Sequence, residues 1–536
     1  MTATRLLDGL VAALLALTLA VLVTGGVPLG ERRLLGRAED VVLAATIVAA
    51  IRHLLRPYAL LPRAPRQLVI AGVAVYSVVL SFITVTRHWN LRTHAVDLAL
   101  YDQMVWGIVN LGAPYSTLPE LHGWGDHLTI VLYLMAPLYR VAPSVLVMLV
   151  VQCVALALGA FAVWGLARRR LGGLEATSGP PVEPDRVAAL LAVLFLVNPS
   201  LHGINLRDFH PQALAIPLLL TALYAFETAR WPVYWGAVVL TLTCREDASL
   251  AVLGLGAWAL LVKRRPWTGL VTATLGVAWL LAATRWLIPH FRGQTYSHLG
   301  RWGHLGGSLD QIVLGILSQP GEVLGTVFDL ARLHYLAAVL APWAFLPLLG
   351  PAALQATLPT LAANLLSNDP VTYHHRTQYN GYLLPFLALA TIAGVARLAA
   401  WKGERAVRLA LGLALLVSIA MTSRTVNDLM VTRWWPDARA RDVHVLVARV
   451  PPAVVVGADE RIVPHLAHRP RIYIFPQRLE SCEWLVVSLA PGSSFRDYRP
   501  ERRDDRVAFV PVQGGPEQVF TVIEERGDVI LARRSP

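Results

Sequence analysis

Apolar segments recur almost without interruption from Val11 to about Ala420. A helix needs about 20 apolar residues to cross the hydrocarbon core of a bilayer, and most of these segments come close to that length, so the pattern predicts about 11–13 transmembrane helices. The predicted spans are 9–28, 40–55, 67–87, 143–167, 187–205, 212–229, 268–288, 380–400 and 406–422, with 232–262 and 335–367 each forming a helical pair.

The pattern changes after about Asp437, where apolar runs shorten and alternate with turn residues. A helix is predicted near Ala438–Val450, and runs of four to six residues are typical of strands. The predicted strands are 453–456, 471–475, 484–489, 507–510, 520–523 and 529–532. The chain end is therefore predicted to form a small α/β domain.

These patterns divide the chain into three regions. Residues 1–66 are predicted to add two N-terminal transmembrane helices to a transmembrane domain at 67–422, whose first outer loop is 88–128. Residues 423–536 form the soluble α/β domain. The stretch 171–185, which contains Gly179-Pro180-Pro181, is predicted to be a flexible linker. The predicted fold class is a polytopic α-helical membrane protein with a small C-terminal α/β domain.

Composition supports a membrane location. Of the 536 residues, 55% are hydrophobic and only 15% are charged, with a mean hydropathy of +0.52, whereas a soluble domain carries about 25% charged residues. The net charge of +12 would suggest nucleic acid in a soluble protein. Here most of the excess arginine lies in short loops, and no basic patch is interleaved with stacking aromatic residues, so a nucleic-acid partner is not expected.

Clusters of arginine and lysine give the predicted spans a direction. Four clusters fall on one side of the membrane when the spans are counted as above, and the positive-inside rule makes that side cytoplasmic. They are Arg52, Arg56, Arg63 and Arg66; Arg168–Arg170; Lys263–Arg265; and Lys402, Arg405 and Arg408. The N-terminus is then cytoplasmic, and the C-terminal domain and the polar loops lie outside the cytoplasmic membrane.

The sharpest polar feature is the first outer loop. It carries Asp97 and Asp102 near a membrane surface, where an ionised carboxylate is costly unless it is hydrated or functional. The two acids are five residues apart, which on a regular helix directs them to different faces. The neighbouring candidate site residues are His94, Gln103, Trp106 and His127. The alternative interpretation is a hydrated loop whose acids cap a helix.

Three further polar motifs fall on the same predicted face. They are Arg207-Asp208-Phe209-His210, Cys244-Arg245-Glu246-Asp247 and Tyr373-His374-His375-Arg376. Each has a structural alternative, which is respectively a capped turn, a hairpin apex and a hydrated loop with aromatic side chains at the interface.

Together the motifs bring Arg, Asp, Glu, His and Tyr to one membrane face. This set suits an anionic headgroup held by arginine and a hydroxyl deprotonated by a carboxylate, and it also suits an ion or proton pathway. It admits a divalent cation as a cofactor, because hard cations prefer carboxylate oxygen. No fixed ligand spacing identifies metal ligands, and the scattered Cys153, Cys244 and Cys482 form no cluster.

The motifs resemble a bacterial and archaeal membrane-protein family catalogued as domain of unknown function 2079. The resemblance covers most of Val85 to Leu489, and the order and spacing of its short motifs are fairly specific. It rests on Asp97-Leu98, Asp102-Gln103, Trp106, Gly112, His127, Pro137, Tyr139, Gln152, Asn198-Pro199, Asp208–Pro211, Arg245–Asp247, Tyr373–His375, Tyr382, Pro385, Val454–Ala458, Pro464–Leu466, Arg469, Ile472-Tyr473 and Pro476.

That family looks like a branch of the GT-C superfamily, the polytopic glycosyltransferases that use polyprenyl-phosphate sugars. The resemblance implies a GT-C-like fold and an essential acid in the first outer loop, which is Asp97 most directly and Asp102 second. The implied partners are the lipid bilayer, a polyprenyl-phosphate-linked sugar donor and an unidentified acceptor. This chain departs from the pattern in its two additional N-terminal spans and in lacking an adjacent acidic pair in that loop.

Two classes of function follow. In a glycosyltransferase, Asp97 or Asp102 is the general base, and Arg245 stabilises the lipid phosphate, with Arg207 and Arg376 as other candidates. The alternative is a transporter or flippase of a lipid-linked or amphiphilic solute, and a membrane scaffold is a third interpretation. A transporter would show internal repeats and ionisable residues near the midplane of the membrane. The polar motifs instead gather at one face, which favours the enzyme.

Overall fold

The protein is described by a computed structural model that covers residues 2–29, 32–173, 183–490 and 497–535. The centre of the predicted linker, residues 174–182, lies outside the described residues. Several of the helices begin with proline at their first or second position, because the missing amide hydrogen and fixed φ of proline suit the first helical turn. Examples are Pro65, Pro184, Pro199, Pro211 and Pro266.

The α-helices of the described ranges follow one another closely along the chain. They are α1 Thr2–Thr24, α2 Ala38–Leu55, α3 Pro65–Trp89, α4 Leu100–Leu111, α5 Ala136–Val141, α6 Leu146–Leu171, α7 Pro184–Leu196, α8 Pro199–Leu206, α9 Pro211–Glu227, α10 Trp231–Cys244, α11 Ala248–Leu261, α12 Pro266–Ala282, α13 Ile288–Arg292, α14 Leu309–Ser318, α15 Pro320–Val327, α16 Leu330–Leu340, α17 Pro351–Leu354, α18 Leu358–Leu365, α19 Leu384–Asn427 and α20 Ala438–Ala448.

Among the described residues, six helical segments are long and apolar enough to cross a membrane, and the pair α15–α16, bent by 56°, is a seventh candidate. The chain is thus a multi-pass membrane protein. The apolar helices α9, α10 and α11 have 17, 14 and 14 residues, which is shorter than the about 20 residues of a full span. The predicted 11–13 transmembrane helices include these shorter helices, so that number stays a prediction.

The structure differs from the predicted spans in three places. The predicted helical pair 335–367 is a series of short helices, α16 to α18, joined by 3₁₀ turns, because prolines at 342, 347, 351 and 359 interrupt the helical hydrogen bonds. The predicted spans 380–400 and 406–422 are the two halves of α19, separated at Gly403, where φ is +73°. Helices α14 and α15 lie between the predicted spans 268–288 and 335–367, where the sequence pattern predicts no helix.

The C-terminal domain contains a seven-stranded sheet, as its strand-like pattern predicted. Two short hairpins precede it in the chain, β1 Val27–Leu29 with β2 Arg32–Leu34 and β3 Tyr115–Ser116 with β4 Leu121–His122. The strands of the sheet are β5 Val456–Ala458, β6 Ile472–Ile474, β7 Trp484–Ser488, β8 Tyr498–Arg503, β9 Arg506–Pro511, β10 Gln518–Arg526 and β11 Val529–Arg534.

The sheet is mixed, with the order β6-β5-β7-β11-β10-β9-β8. Strand β5 pairs in parallel with β6 and β7, and the other neighbours are antiparallel. Helix α20 covers one face of the sheet, with Val443 and Leu446 in the same core as Val486 and Leu531. Strand β8 escaped prediction because its sequence, with Arg and Glu at four of six positions, carries no apolar alternation.

The core under α20 extends into the membrane domain. Leu91, Ala95 and Ala99 of the first loop are buried in the same cluster as Val463 and Leu466 of the C-terminal domain. The hydroxyl of Thr117 donates to the carbonyl of Ile472 at 2.6 Å. The first loop is therefore held between the helices and the C-terminal domain, and this sets the position of its polar residues.

Candidate functional site

An open cavity of about 890 Å³ lies where four polar segments meet, and we call it the Asp97 cavity. These segments are the first loop, the turn after α8, the loop before α19 and the C-terminal end of α19. Glu460 of the C-terminal domain completes its wall. The lining residues are Arg87, His94, Val96, Asp97, Gly203, Leu206, Arg207, His374, His375, Arg376, Ala420, Met421, Ser423, Arg424, Thr425, Asp428 and Glu460.

The first loop enters the cavity through one π-helical turn, Ala95–Ala99, which runs directly into α4. Such wide turns are rare and occur frequently at functional sites. Asp97 lies in this turn, with 27% of its side chain exposed, whereas the side chain of Asp102 is 1% exposed. The two carboxylates therefore have different surroundings, and of these two only Asp97 lines the Asp97 cavity.

Two carboxylate–imidazole pairs cross between the first loop and the turn after α8. His210 Nε2 lies 3.2 Å from the Asp97 carboxylate. His94 Nδ1 lies 2.9 Å from the Asp208 carboxylate, which also accepts the backbone N–H of His94 at 2.9 Å. Each segment thus supplies one acid and one imidazole. Four of the predicted site residues come together in this way.

Gln152 of α6 holds the turn that carries Asp208 and His210. Its side-chain amide donates to the Asp208 carbonyl at 2.8 Å, and its side-chain oxygen accepts the backbone N–H of His210 at 2.8 Å. Asp208 itself has a φ of +67°, a left-handed conformation that Asp and Asn tolerate better than most residues. These contacts fix the direction of both side chains relative to the first loop.

The electrostatics of the pairs favour ionised groups. Burial alone would raise the pKa of Asp97, but the neighbouring His210 and Arg207 outweigh it and lower the pKa below its ordinary value. The hydrogen bond with Asp208 raises the pKa of His94, against the opposing effect of burial. Asp97 is thus a carboxylate at neutral pH, and His94 keeps its proton to a higher pH than an ordinary imidazole does.

The cavity also contains arginines that no carboxylate neutralises. Within the described part of the chain, Arg207 and Arg376 make no ion pair, whereas Arg87 lies 3.5 Å from Asp428. Arg376 comes close because Gly203 has no side chain, and a Cβ there would lie 2.4 Å from the Cβ of Arg376. Guanidinium groups without an ion pair have the chemistry that binds carboxylate or phosphate oxygens.

Of the remaining residues of the Tyr373 motif, two line the cavity and one packs outside it. His374 and His375 line the cavity beside Arg376. Tyr373 instead lies under the guanidinium of Arg332, 4.2 Å from ring centre to cation. This cation–π contact fixes the loop from behind.

Asp102 and Gln103 face the C-terminal domain. The Asp102 carboxylate accepts the Tyr139 hydroxyl at 2.6 Å and lies 2.9 Å from Nε2 of His468. Gln103 donates to the carbonyl of Arg469 at 3.1 Å. Asp102 and His468 line a second, smaller cavity of about 250 Å³. Trp106, further along α4, lines neither of these cavities as far as the structure describes them.

The Arg245-Glu246-Asp247 motif lies in a separate buried network, which we call the Glu246 cluster. Asp247 pairs with Arg245 and accepts the Tyr382 hydroxyl at 2.6 Å. Glu246 lies 2.7 Å from Nδ1 of His127 and accepts the Tyr296 hydroxyl at 2.8 Å. Arg245, the leading sequence candidate for the phosphate contact, is thus neutralised by Asp247 outside the Asp97 cavity, while the two other candidates line it.

One group next to the Glu246 cluster has the chemistry of a cation site. Ligand atoms of Asp126, His127 and His298 lie within 4.8 Å of one another. Glu246 is hydrogen-bonded to Nδ1 of His127, so Nε2 of this imidazole is available to a metal. In many metal sites a carboxylate accepts the second ring N–H of a ligating histidine in this way. Burial lowers the pKa of His298, which favours the neutral, metal-binding form of its imidazole. These residues fit a divalent cation.

Several site residues escaped the sequence analysis. Arg87, Arg424, Asp428 and Glu460 line the Asp97 cavity from segments far apart in the chain. Each of them stands outside a recognisable sequence motif. His298 and His468 act through neighbours more than 170 residues away. The one available signal was their position in predicted outer segments.

The chain has recognisable similarity to known proteins. No curated protein sequence gives a significant match. The chain is similar to the solved structure of ArnT from Cupriavidus metallidurans bound to undecaprenyl phosphate, with 14% identity and a TM-score of 0.49, over 87% of this chain and 97% of that one. It is also similar to the Archaeoglobus fulgidus oligosaccharyltransferase in its apo form, with 11% identity and a TM-score of 0.41, over 78% of this chain and 69% of that one.

A family model described as predicted membrane protein DUF2079 matches residues 87–507. The match includes the whole Asp97 cavity, the Glu246 cluster and four of the seven strands of the C-terminal sheet, β5 to β8. It confirms the resemblance noted from the sequence motifs. The chain belongs to the DUF2079 family of membrane proteins.

Proposed function

We propose that the chain is a membrane glycosyltransferase of the GT-C type, which transfers a sugar from a polyprenyl-phosphate donor to an acceptor at the outer face of the cytoplasmic membrane. The observation that carries this proposal is the composition of the Asp97 cavity. A carboxylate lines one open space together with two arginines, Arg207 and Arg376, that make no ion pair with any residue of the described ranges. Its volume of about 890 Å³ lies within the range of about 300–1,000 Å³ that is common for small-molecule sites.

Asp97 serves as the general base. Its carboxylate accepts the proton of the acceptor hydroxyl while that oxygen attacks the anomeric carbon and the bond from this carbon to the phosphate oxygen breaks. The lowered pKa of Asp97 keeps the carboxylate ionised, with burial opposing this and His210 and Arg207 outweighing it. General-base assistance is worth about 10²–10⁴ in rate.

Arg207 and Arg376 hold the donor phosphate. A guanidinium group presents two parallel N–H donors to phosphate oxygens, and its charge stabilises the negative charge that develops on the leaving group. Arg245 is less suited to this role because Asp247 already occupies its guanidinium. Val96, Ala420 and Met421 add apolar surface to the cavity wall, which suits the first isoprenyl units of a lipid donor.

The orientation of the reaction follows from the positive loops of the sequence. They make the face that carries the C-terminal domain the outer one. The donor would then reach the cavity from the outer leaflet of the bilayer. A transporter receives less support, because Glu246 and Asp247, the acids suited to a pathway, are already paired with His127, Arg245 and tyrosine hydroxyls.

The experiment that tests this function follows the release of the lipid carrier. The protein is reconstituted in liposomes with a panel of undecaprenyl-phosphate pentoses and hexoses, and cell-envelope extract supplies acceptors. Free undecaprenyl phosphate is measured by mass spectrometry. We expect Asp97→Asn to slow its release at least about 100-fold, with unchanged thermal stability. Arg376→Gln should raise the KM for the donor.

The matched control is Asp310→Asn, which removes an exposed acid paired with Arg285 on another segment. It should behave as the wild type. Near-wild-type release by both Asp97→Asn and Asp102→Asn would contradict a first-loop base. A wild-type protein that consumes no donor of the panel would contradict the proposed reaction.

A further inference from the structure

His94 is the one histidine of the Asp97 cavity that a buried carboxylate holds by a hydrogen bond, among the residues that the structure describes. Asp208, with 3% of its side chain exposed, binds Nδ1 at 2.9 Å and also accepts the backbone N–H of His94. Nδ1 is thereby engaged, and the other ring nitrogen, Nε2, is left for the cavity that His94 lines. This is the geometry of an imidazole prepared to exchange a proton at Nε2.

We propose that His94 is the general acid of the transfer reaction, which donates its Nε2 proton to the phosphate oxygen of the departing polyprenyl phosphate while Asp208 holds the ring. This inference rests on the proposed function. It gives the cavity two proton-transfer groups three residues apart in one loop, the base Asp97 for the acceptor and the acid His94 for the leaving group.

The step balances without a further reactant. The acceptor oxygen forms a bond to the anomeric carbon and loses its proton to Asp97. The bond from the anomeric carbon to the phosphate oxygen breaks, its electron pair stays on that oxygen, and the oxygen takes the proton from His94. Polyprenyl hydrogen phosphate leaves, and the proton on Asp97 returns through solvent to His94, which restores the site.

The proton affinities of the two partners match. The second pKa of a phosphate monoester is about 6 and that of an imidazole is about 6.5, so transfer between them is close to balanced. The hydrogen bond with Asp208 raises the pKa of His94, so the acid form persists nearer neutral pH, although burial opposes it. Proton donors whose pKa lies near the working pH are the efficient ones.

The charged groups around His94 come from every segment that packs against it. Asp208 and Glu460 favour its protonated form, whereas Arg461 opposes it. The other titratable or cationic groups that share its cavity are Arg87, Asp97, Arg207, His374, His375, Arg376, Arg424 and Asp428. The arginines bind the phosphate but hold their protons throughout the neutral range, so none of them replaces His94 as the acid.

The first test uses undecaprenyl phosphate alone, in lipid nanodiscs, and measures its Kd as a function of pH. We expect the wild type to bind it about tenfold tighter than His94→Gln at about pH 6, where the imidazolium makes a charge-assisted hydrogen bond. The ratio should approach one at about pH 9, where both proteins present a neutral side chain. In Asp208→Asn, the asparagine keeps an acceptor for Nδ1 of His94 and tolerates the positive φ. Without the negative charge His94 should lose its proton at lower pH, so the tight binding of undecaprenyl phosphate should disappear at lower pH than in the wild type.

The control is His304→Gln, an exposed histidine that does not line the cavity as described, and it should bind as the wild type at every pH. The second test is the pH profile of undecaprenyl phosphate release from the donor panel. The wild type should lose rate on the alkaline side as His94 deprotonates, and His94→Gln should be slower and lack this alkaline limb. A structural role for His94 would lower the rate without changing the shape of the profile.

The two hypotheses fail in different ways. Absence of undecaprenyl phosphate binding by the wild type at any pH would overturn the proposed function, and this inference with it. Binding and release by the wild type, with pH profiles that His94→Gln reproduces, would overturn the role of His94 alone. Gel filtration and thermal unfolding of each variant verify that the compared proteins are folded.

Discussion

The contact between Asp102 and His468 predicts how firmly the C-terminal domain is docked. The Asp102 carboxylate, 1% exposed, has two partners, the Tyr139 hydroxyl at 2.6 Å and the His468 imidazole at 2.9 Å. A hydrogen bond to an ionised group contributes about 1.5–3 kcal/mol. His468→Ala removes one of these two partners and leaves the Tyr139 hydroxyl as the remaining partner of the buried Asp102 carboxylate. We therefore expect docking to weaken by about 2 kcal/mol, or about 30-fold in the undocking equilibrium.

The pH dependence of this contact has a definite sign. Burial alone would lower the pKa of His468, but the hydrogen bond with Asp102 raises it above its ordinary value of 6.5. A group whose pKa is raised in the folded state contributes stability that is fully present below its unfolded pKa and is lost as pH rises through the folded pKa. The difference between wild type and His468→Ala should thus be full at about pH 5.5 and shrink towards about pH 9.

Hydrogen exchange of peptides covering β5 and β6, followed by mass spectrometry, measures this docking equilibrium. Burial lowers the pKa of His465, so this residue destabilises the interface as pH falls. His465 is present in both wild type and His468→Ala, and its contribution therefore cancels in the difference between them. The control is Glu120→Gln, which breaks an exposed ion pair with Arg478 at the same interface, and it should have no measurable effect. Unchanged exchange in His468→Ala, or an equal change in Glu120→Gln, would refute the contribution assigned to His468.

Three other predictions follow. When purified without chelator, the wild type should contain a divalent cation that elemental mass spectrometry detects, and the His298→Ala variant should not. A metal-free wild type would contradict the cation site. Gly254→Ala should destabilise the protein by about 1–3 kcal/mol, because its Cβ would lie 2.0 Å from the Ala356 carbonyl; Gly236→Ala, with open space around it, should not lower the melting temperature. Gln152→Ala should slow carrier release, since it frees the turn after α8; unchanged release would disprove that role.

The sequence motifs identified most of the polar residues of the site because each stands in an otherwise apolar chain. Asp97, Arg207 and His210 were all candidates, and they do line or support one cavity. A charged group near a membrane costs free energy unless it has a function or a partner, so its presence is informative even in one sequence.

Pairing was not predictable in the same way. Arg245 and Arg376 look alike in the sequence, since each stands in a motif with other polar residues. In the structure Asp247 neutralises Arg245, whereas Arg376 makes no ion pair among the described residues. The difference depends on which segments pack together, and Gly203 lets the Arg376 segment approach only in the folded bundle. Local patterns contain no information about such long-range contacts.

The Asp97 cavity draws its wall from residue 87 to residue 460 of the chain. During synthesis, Asp97 is made more than 360 residues before Glu460, and the second half of α19 with Ala420, followed by Asp428, is also made late. A nascent chain therefore has the carboxylate and the first arginine long before the wall of the cavity is complete. The lining residues come together only when translation is almost complete, so a truncated product left in the membrane lacks the assembled Asp97 cavity.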